Sequence, residues 1–411
     1  MRGAAAITTF VATTAFVTTL DNTIIAAAAP SIGRELGLGL PVLQWVSLAY
    51  MLPYAGLLLP AGALLDRLGR RRLLLTGCAV LVAGSLLGGV ARSAEGLLLA
   101  RAVQGTAAAF LVPGALSLVR TALPERRRPL AVAIWTGALA VALALGPWLG
   151  GALAEHLHWS WVFFSNLPFA AVASLSLIAA AAPEPPRPAR ARLVMTPVLA
   201  WSNVLILLWG LGISGIAFFT PLLHQDFLGM APDAAGLPLG LVAVAVACAT
   251  PFVPLATRGL GPHGTVCLGF SVVALGLVAL AVVNHQPALA PRLAGLALIG
   301  AGSAFTTPIT TYALDLTGED VSGTASGVLS TSRELSSALG VALIGFVLSR
   351  VRAGELAAGV DGGTALSTGY TAALVVAAVL QAAGAGIALL VLRPPRVRSG
   401  RGPLLDHAAR L

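Results

Sequence analysis

From Ala4 to Arg393, apolar stretches of about 20 residues follow one another, broken only by short segments that hold arginine. At ~1.5 Å rise per residue, each stretch is long enough to cross the ~30 Å hydrocarbon core of a bilayer as a helix. The pattern predicts helices over 7–29, 42–64, 73–91, 96–119, 130–153 and 161–182. A run rich in proline and arginine, Ala182 to Arg192, then breaks it and cannot continue a helix. A second set is predicted over 198–222, 235–257, 264–284, 292–313, 321–349 and 367–392. The reading is an all-α membrane protein of twelve transmembrane helices in two sets of six, residues 1–182 and 198–392. A linker at 183–197 joins them and a tail covers 393–411.

Composition agrees with that solvent. Hydrophobic residues make up 57% of the chain and charged residues 10%, and the mean hydropathy is +0.90, so a water-facing surface could not be built over most of its length. Alternate hinges differ in charge. With the N-terminus inside, inner segments carry eighteen arginines, among them Arg67, Arg70 to Arg72, Arg126 to Arg128 and Arg187, and outer segments only five, Arg34, Arg92, Arg292, Arg350 and Arg352. This positive-inside bias places both termini and the linker in the cytoplasm. A cleaved leader is a competing reading of residues 2–28, but the run is long and carries Asp21 near its end.

Several chemistries leave the list. All 25 basic residues are arginine, so a Gly-Lys phosphate loop and a Schiff-base lysine are excluded. The +9 charge sits in short hinges without stacking aromatics, which argues against a nucleic-acid partner. Cys78, Cys248 and Cys267 lie singly in apolar spans and suggest neither a disulfide frame nor a metal site. Gly210-Leu211-Gly212-Ile213-Ser214-Gly215 fits a dinucleotide pattern, but it lies mid-span with no preceding strand. His156-Leu157-His158 reads as a wet loop. No catalytic constellation and no metal site is expected.

The first hinge reads Gly62-Ala63-Leu64-Leu65-Asp66-Arg67-Leu68-Gly69-Arg70-Arg71-Arg72. A plain arginine anchor would explain its cations but not Asp66 and the two glycines. It resembles the signature loop of the major facilitator superfamily of secondary transporters. That resemblance implies two six-helix bundles and a latch in which Asp66 meets the start of the eleventh helix, near Asp320 to Gly323. Further stretches are similar to family patterns: Arg101-Ala102-Val103-Gln104-Gly105 on the fourth helix, and Gly146-Pro147-Trp148-Leu149-Gly150-Gly151 on the fifth, the latter typical of antiporters and implying a hinge and seal. Trp159 to Pro168 resembles the aromatic start of helix six in drug exporters. Leu20-Asp21-Asn22-Thr23 with Pro30 resembles the first helix of the drug:proton antiporter group that usually has fourteen spans; here only a linker stands where that group has two more helices. Gating residues implied are Gly62, Asp66, Arg67, Gly69, Arg70, Gly146, Pro147, Gly150 and Gly151.

Asp21 lies about eight residues, ~12 Å, from the outer end of its predicted helix, and Arg101 about five residues, ~8 Å, from that of its own, so the two can meet. Desolvation favours a neutral acid and a nearby arginine a charged one, so the pair can be switched by whatever displaces or hydrates it. Proton coupling, substrate contact without protonation and a structural pair all remain open. Arg333 and Glu334 lie within the eleventh helix and, being adjacent, need separate partners. The family's pocket lies between helices 1, 4, 7 and 10, which gives Gln104, Trp201, Asn203, Trp209, Thr307 and Tyr312 as substrate-binding candidates. The expected function is export of lipophilic or amphipathic small molecules by proton antiport with alternating access. No cofactor is expected beyond the proton gradient; the partners are a small molecule, protons and the lipid bilayer, with the monomer as the working unit in the cytoplasmic (inner) membrane. Alternatives are a nutrient symporter or facilitator, a membrane-embedded enzyme and a non-transporting receptor.

Overall fold

A computed structural model describes residues 2–180, 196–315 and 322–391, and every element among them is helical. The first set is α1 (Arg2–Leu36), α2 (Leu40–Leu68), α3 (Arg70–Gly89), α4 (Ala94–Ala122), α5 (Arg128–His156) and α6 (Asn166–Ala179), the last preceded by one turn at Trp161–Phe164. After the break come α7 (Pro197–Asp226), α8 (237–260), α9 (262–283), α10 (Ala290–Phe305, resumed at Pro308–Asp315), α11 (Ser322–Ala357) and α12 (Gly362–Val391). The expected tail and most of the expected linker lie outside the described residues.

Eleven segments are long and apolar enough to cross a membrane, but one of them, Pro232–Val283, has 52 residues. As one helix it would run ~78 Å, well over twice a bilayer core. Gly261 divides it: φ 70° and ψ 171° lie in a region open essentially to glycine alone, and Pro262 follows. The fold is therefore the expected twelve-helix one. Gly69, at φ 92°, makes the corresponding tight turn between α2 and α3 in the first half.

Most helices overrun their apolar windows. Helix α1 was expected over 7–29 and reaches Leu36, because hydropathy marks only the part in hydrocarbon, whereas backbone hydrogen bonding continues through Gly33-Arg34-Glu35 until a residue stops it. Helix α10 was expected to be continuous and is interrupted before Pro308, which has no N–H for the preceding turn. Polar caps set other starts. Ser93 Oγ accepts from the Gly96 N–H at 3.3 Å, and Thr196 Oγ1 from the Leu199 N–H at 3.2 Å. Asp361 Oδ1 accepts from the Gly363 and Thr364 N–H groups, both at 3.0 Å, and these hydrogen bonds, with Thr364 foremost, hold its carboxyl below the usual carboxylate range.

The two halves have separate cores at the end that holds the N-terminus and the end of α12, called here the terminal end. One core gathers Phe10, Leu74, Leu111 and Leu177, the other Leu205, Phe270, Ile309 and Leu329. At the opposite, distal end a single cluster takes Ile24, Leu43 and Phe163 from the first half and Phe219, Val341 and Leu348 from the second. The hydrogen bonds that cross between halves among the described residues lie there too: Gln44 Nε2 donates to the Val341 and Ala342 carbonyls at 3.0 Å, and Gln225 Nε2 to the Ala27 carbonyl at 2.9 Å. In a bilayer no hydrophobic force separates helix from lipid, so close approach has to come from small residues. Gly150 and Gly151 supply it: a Cβ on the first would strike the Ile24 carbonyl of α1, and on the second the Pro232 carbonyl of the other half.

Candidate functional site

Five helices of the first half converge on Asp21. Arg101 Nη1 on α4 donates to Asp21 Oδ2 at 3.0 Å, a pair with side chains 0% and 1% exposed. One turn on, Gln104 Nε2 donates to Asp21 Oδ1 at 3.0 Å and to Ser85 Oγ of α3 at 3.1 Å, while its Oε1 accepts from Arg101 Nη1 at 3.0 Å. From α6, Asn166 Nδ2 donates to Asp21 Oδ1 at 2.6 Å and to Ser85 Oγ at 3.3 Å. On α2, the Val46 carbonyl accepts from Arg101 Nε at 3.2 Å, and the Tyr50 ring lies 4.4 Å from the guanidinium carbon while its hydroxyl donates to the Thr18 carbonyl of α1 at 3.1 Å.

Local sequence explains how so many polar groups fit between apolar helices. A Cβ at Gly105 would strike the Tyr50 carbonyl, so the glycine lets α4 close on α2 and brings Arg101 within reach of Val46. Both Asp21 oxygens accept from cations or amides, which the carboxylate needs once water is removed. Arg101 Nη2 and Asn166 Oδ1 are buried without a hydrogen-bond partner, so the cluster has spare capacity at its edge. The arrangement can hold a carboxylate charged in a dry interior and, with one proton added, free Arg101 to find other acceptors.

Asp21 and Arg101 thus meet, but deeper than the predicted boundaries put them: α1 continues fifteen residues beyond Asp21, ~22 Å, and α4 begins seven before Arg101, ~10 Å. Gln104 is 0% exposed and lines no open surface; it bridges the pair. Ser85, Asn166 and Tyr50 were not anticipated. Their signal was a polar side chain inside an apolar span, the same one that drew attention to Arg101, but hydroxyls and amides are common in such helices and a carboxylate is not.

The remaining candidates do not gather around Asp21. Asn203 Oδ1 accepts from Ser332 Oγ of α11 at 2.6 Å, and its amide donates to the Leu199 carbonyl of its own helix. Trp209 and Tyr312 pack against the second half's own core, Trp201 is exposed, and Thr307 bonds back to the Ala304 carbonyl at the interruption of α10. Gly146 and Pro147 are buried on α5 with Gly150 and Gly151; a Cβ at Gly146 would strike Thr23 Oγ1, and Pro147 stands against Gly236 of the other half. In the first hinge Gly62 has open space beside it, Arg67 is exposed and Arg70 opens α3. The expected latch of Asp66 on the start of α11 falls on side chains outside those described. His156 and His158 each find an acid, Asp233 at 3.6 Å across the halves and Glu35 at 2.9 Å, and no metal-binding group occurs among the described residues.

A second buried cation was read as a hinge charge. Arg292, 1% exposed, donates to Asn284 Oδ1, to the Asn284 carbonyl at 2.5 Å and to the carbonyls of Gln286 at 3.0 Å and Ala288 at 3.3 Å. Asn284 in turn donates to the Ser367 carbonyl at 2.8 Å and to Thr371 Oγ1 at 2.9 Å on α12. A cavity of about 430 Å³ opens beside this cluster, lined in part by His285, Thr364 and Thr368.

Comparison with known proteins agrees with the fold. The model of the Major Facilitator Superfamily matches residues 11–341. Multidrug resistance protein Stp of Mycobacterium tuberculosis (strain CDC 1551 / Oshkosh) is 29% identical over 402 residues, covering 81% of this chain and 74% of that protein. Multidrug efflux pump LfrA of Mycolicibacterium smegmatis is 30% identical over 395 residues, with 80% and 78% covered. Among solved structures, a bacterial homologue of the human lysosomal transporter Spinster, inward-facing and unoccupied, superposes with a TM-score of 0.75 at 17% identity, covering 95% of this chain and 97% of that one. A D-xylose-proton symporter superposes with a TM-score of 0.74 at 15% identity, covering 92% and 96%.

Proposed function

The chain belongs to the Major Facilitator Superfamily, a transporter family, and from that premise we propose that it exports lipophilic or amphipathic small molecules in exchange for protons. The observation that carries the reading is the sealed Asp21–Arg101 pair, a titratable carboxylate in mid-membrane whose direct partners come from α4 and α6, with α2 and α3 completing the cluster around them. The names of the mycobacterial relatives support the substrate class.

In this reading the terminal end faces the cytoplasm, both termini and the linker with it, in a bacterial inner membrane, as the arginine bias asks. The distal seal of α5 on the opposite half then corresponds to an inward-open state, and the six-helix halves at 1–182 and 198–392 rock against each other, parting at the distal end as the terminal end closes. Arg101, Asp21 and Gln104 form the coupling cluster. Protonation of Asp21 removes the charge that holds Arg101, the cluster loosens, and the helices that meet there repack; loss of the proton restores the pair. One elementary charge crossing the membrane gains about 2.3 kcal/mol per 100 mV, so a proton drive needs neither nucleotide nor cofactor. The monomer suffices for this cycle.

Ethidium uptake into inside-out vesicles under an imposed pH gradient tests the proposal. The parent accumulates ethidium and Asp21→Asn does not. Uptake that ignores the gradient, or undiminished exchange by Asp21→Asn, overturns proton antiport through this acid.

A further inference from the structure

One acid in the membrane is unused by the Asp21 cluster. Glu334 lies twelve residues into α11, ~18 Å from Ser322, and is only partly buried. Among the described residues it makes no hydrogen bond and no ion pair. Its neighbour Arg333 points elsewhere and donates to Thr310 Oγ1 of α10 at 3.3 Å. A carboxylate left without a partner at this depth is costly unless a cation or a proton joins it.

Its surroundings indicate which. Helix α11 runs antiparallel to α2 along the seam between the halves: a Cβ at Gly327 would lie 3.6 Å from Leu59, and Gln44 reaches the Val341 and Ala342 carbonyls. Residues 327, 334, 338, 341 and 345 share that face by helical spacing, so Glu334 is presented to the middle of α2. There it is in electrostatic range of the phenols of Tyr54 and Tyr50. The two rings stand edge to face at 6.0 Å, and the Arg101 guanidinium lies over the Tyr50 ring. Arg101 makes no bond to Glu334: its Nη1 is held by Asp21 and Gln104, its Nε by the Val46 carbonyl, and its Nη2 is buried without a partner. Of the other helices packed on α11, α7 carries no titratable side chain before His224, α12 only Tyr370 near its distal end, and α10, among its described side chains, Arg292 at its distal start and Tyr312 in the second half's own core. The charged and titratable groups in range of Glu334 are therefore Arg333 on its own helix, Tyr54 and Tyr50.

We propose that Glu334 and the Tyr54 ring form a recognition site for organic cations, protonated amines or quaternary onium ions, in the seam between the two halves. The carboxylate supplies the counter-charge and the aromatic face a cation–π contact. A proton on Glu334 competes with the cation, and release on the acidic side follows. The site rests on the exporter reading and adds a substrate class and a second acid, on the other half from Asp21.

The test uses the full chain in nanodiscs with two probes of similar shape, tetraphenylphosphonium and the neutral triphenylphosphine oxide. Glu334→Gln should weaken tetraphenylphosphonium binding about tenfold or more, with little change for the neutral probe, and Glu334→Asp should keep most of it. Acidification should weaken binding of the cation to the parent but not to Glu334→Gln. Tyr54→Leu should weaken the cation more than Tyr54→Phe does. Parent-like cation binding by Glu334→Gln, or equal loss of both probes, overturns the site. Vesicle transport separates this failure from that of the exporter reading. A parent that moves neutral compounds against a pH gradient but not cationic ones removes the cation site alone; one that moves neither removes export, and the site with it.

Discussion

The protein buries two arginines, one in each half, and neutralises them differently. Arg101 faces a carboxylate, Asp21, backed by two amides and a hydroxyl from neighbouring helices. Arg292 pairs with no acid among the described residues: carbonyls at the end of α9 and in the loop to α10, with the Asn284 side-chain oxygen, take its donors, and it satisfies the acceptors that a helix end leaves open. A guanidinium held by dipoles has no partner that can gain a proton within the membrane's working range. One held by a carboxylate does. The difference teaches that a buried cation in a membrane protein signals a switch only when its counter-charge can itself be removed.

The largest effect that could break this contrast comes from cutting the first cluster. Arg101→Ala leaves Asp21 buried with amides alone, and loss of one partner from a buried pair costs about 3–5 kcal/mol. Thermal unfolding should fall sharply, and gradient-driven ethidium uptake should vanish. Arg292→Leu exposes no lone charge but strands several carbonyls, with a cost of about 1–3 kcal/mol. Its Tm should drop less, and the pH dependence of whatever transport remains should match that of the parent. A shifted pH profile for Arg292→Leu would make the two arginines equivalent and dissolve the comparison.

Gly151→Val sharpens it from another direction. The new side chain strikes the Pro232 carbonyl of the opposite half only when the distal end is closed, so overpacking of about 1–3 kcal/mol falls on that state and shifts the population toward a distal-open one. Spin-label distances between the distal ends of α5 and α8, in a background with the three cysteines replaced by serine, should lengthen. The Asn284–Arg292 cluster, built within one half, should keep its hydrogen-exchange protection. The smallest effect is expected at Asp361, which caps α12 and so steadies only the second cluster through Ser367 and Thr371. Because hydrogen bonds depress its pKa, the cap contributes fully above the ordinary carboxylate pKa of about 4 and is lost as pH falls through its lower folded value. Asp361→Ala should therefore lower Tm slightly at neutral pH, and its difference from the parent should disappear in strong acid.

Much of the fold was legible along the chain because hydrocarbon is a demanding solvent. A span must be apolar, about 20 residues long and helical, so the count of twelve follows from hydropathy even where two spans share the unbroken segment Pro232–Val283. Helix ends were less legible, as α1 shows, because a helix runs past the membrane until a glycine or proline stops it. Within the site, Asp21 and Arg101 stood out since charges in apolar windows are rare and expensive. Asn166 and Ser85 did not, and Gln104 was taken for a pocket residue, because nothing local tells an amide that faces an acid from one that faces a cavity. Arg292 was misread for a related reason: hinge arginines report topology on average, and whether one turns inward is settled by the carbonyls it finds.

By itself, then, the sequence determined the solvent, the number of crossings and the identity of the charged residues that must be accommodated, all of which depend on composition over a local window. The tertiary structure alone decided which helices touch, that the distal end is closed while the terminal cores stay apart, and that Asp21 is enclosed by one half while Glu334 faces the seam between the two. Those facts depend on close approach at a few glycines and on hydrogen bonds between residues as much as 298 positions apart, as from Gln44 to Ala342, distances over which a linear pattern carries no record of contact.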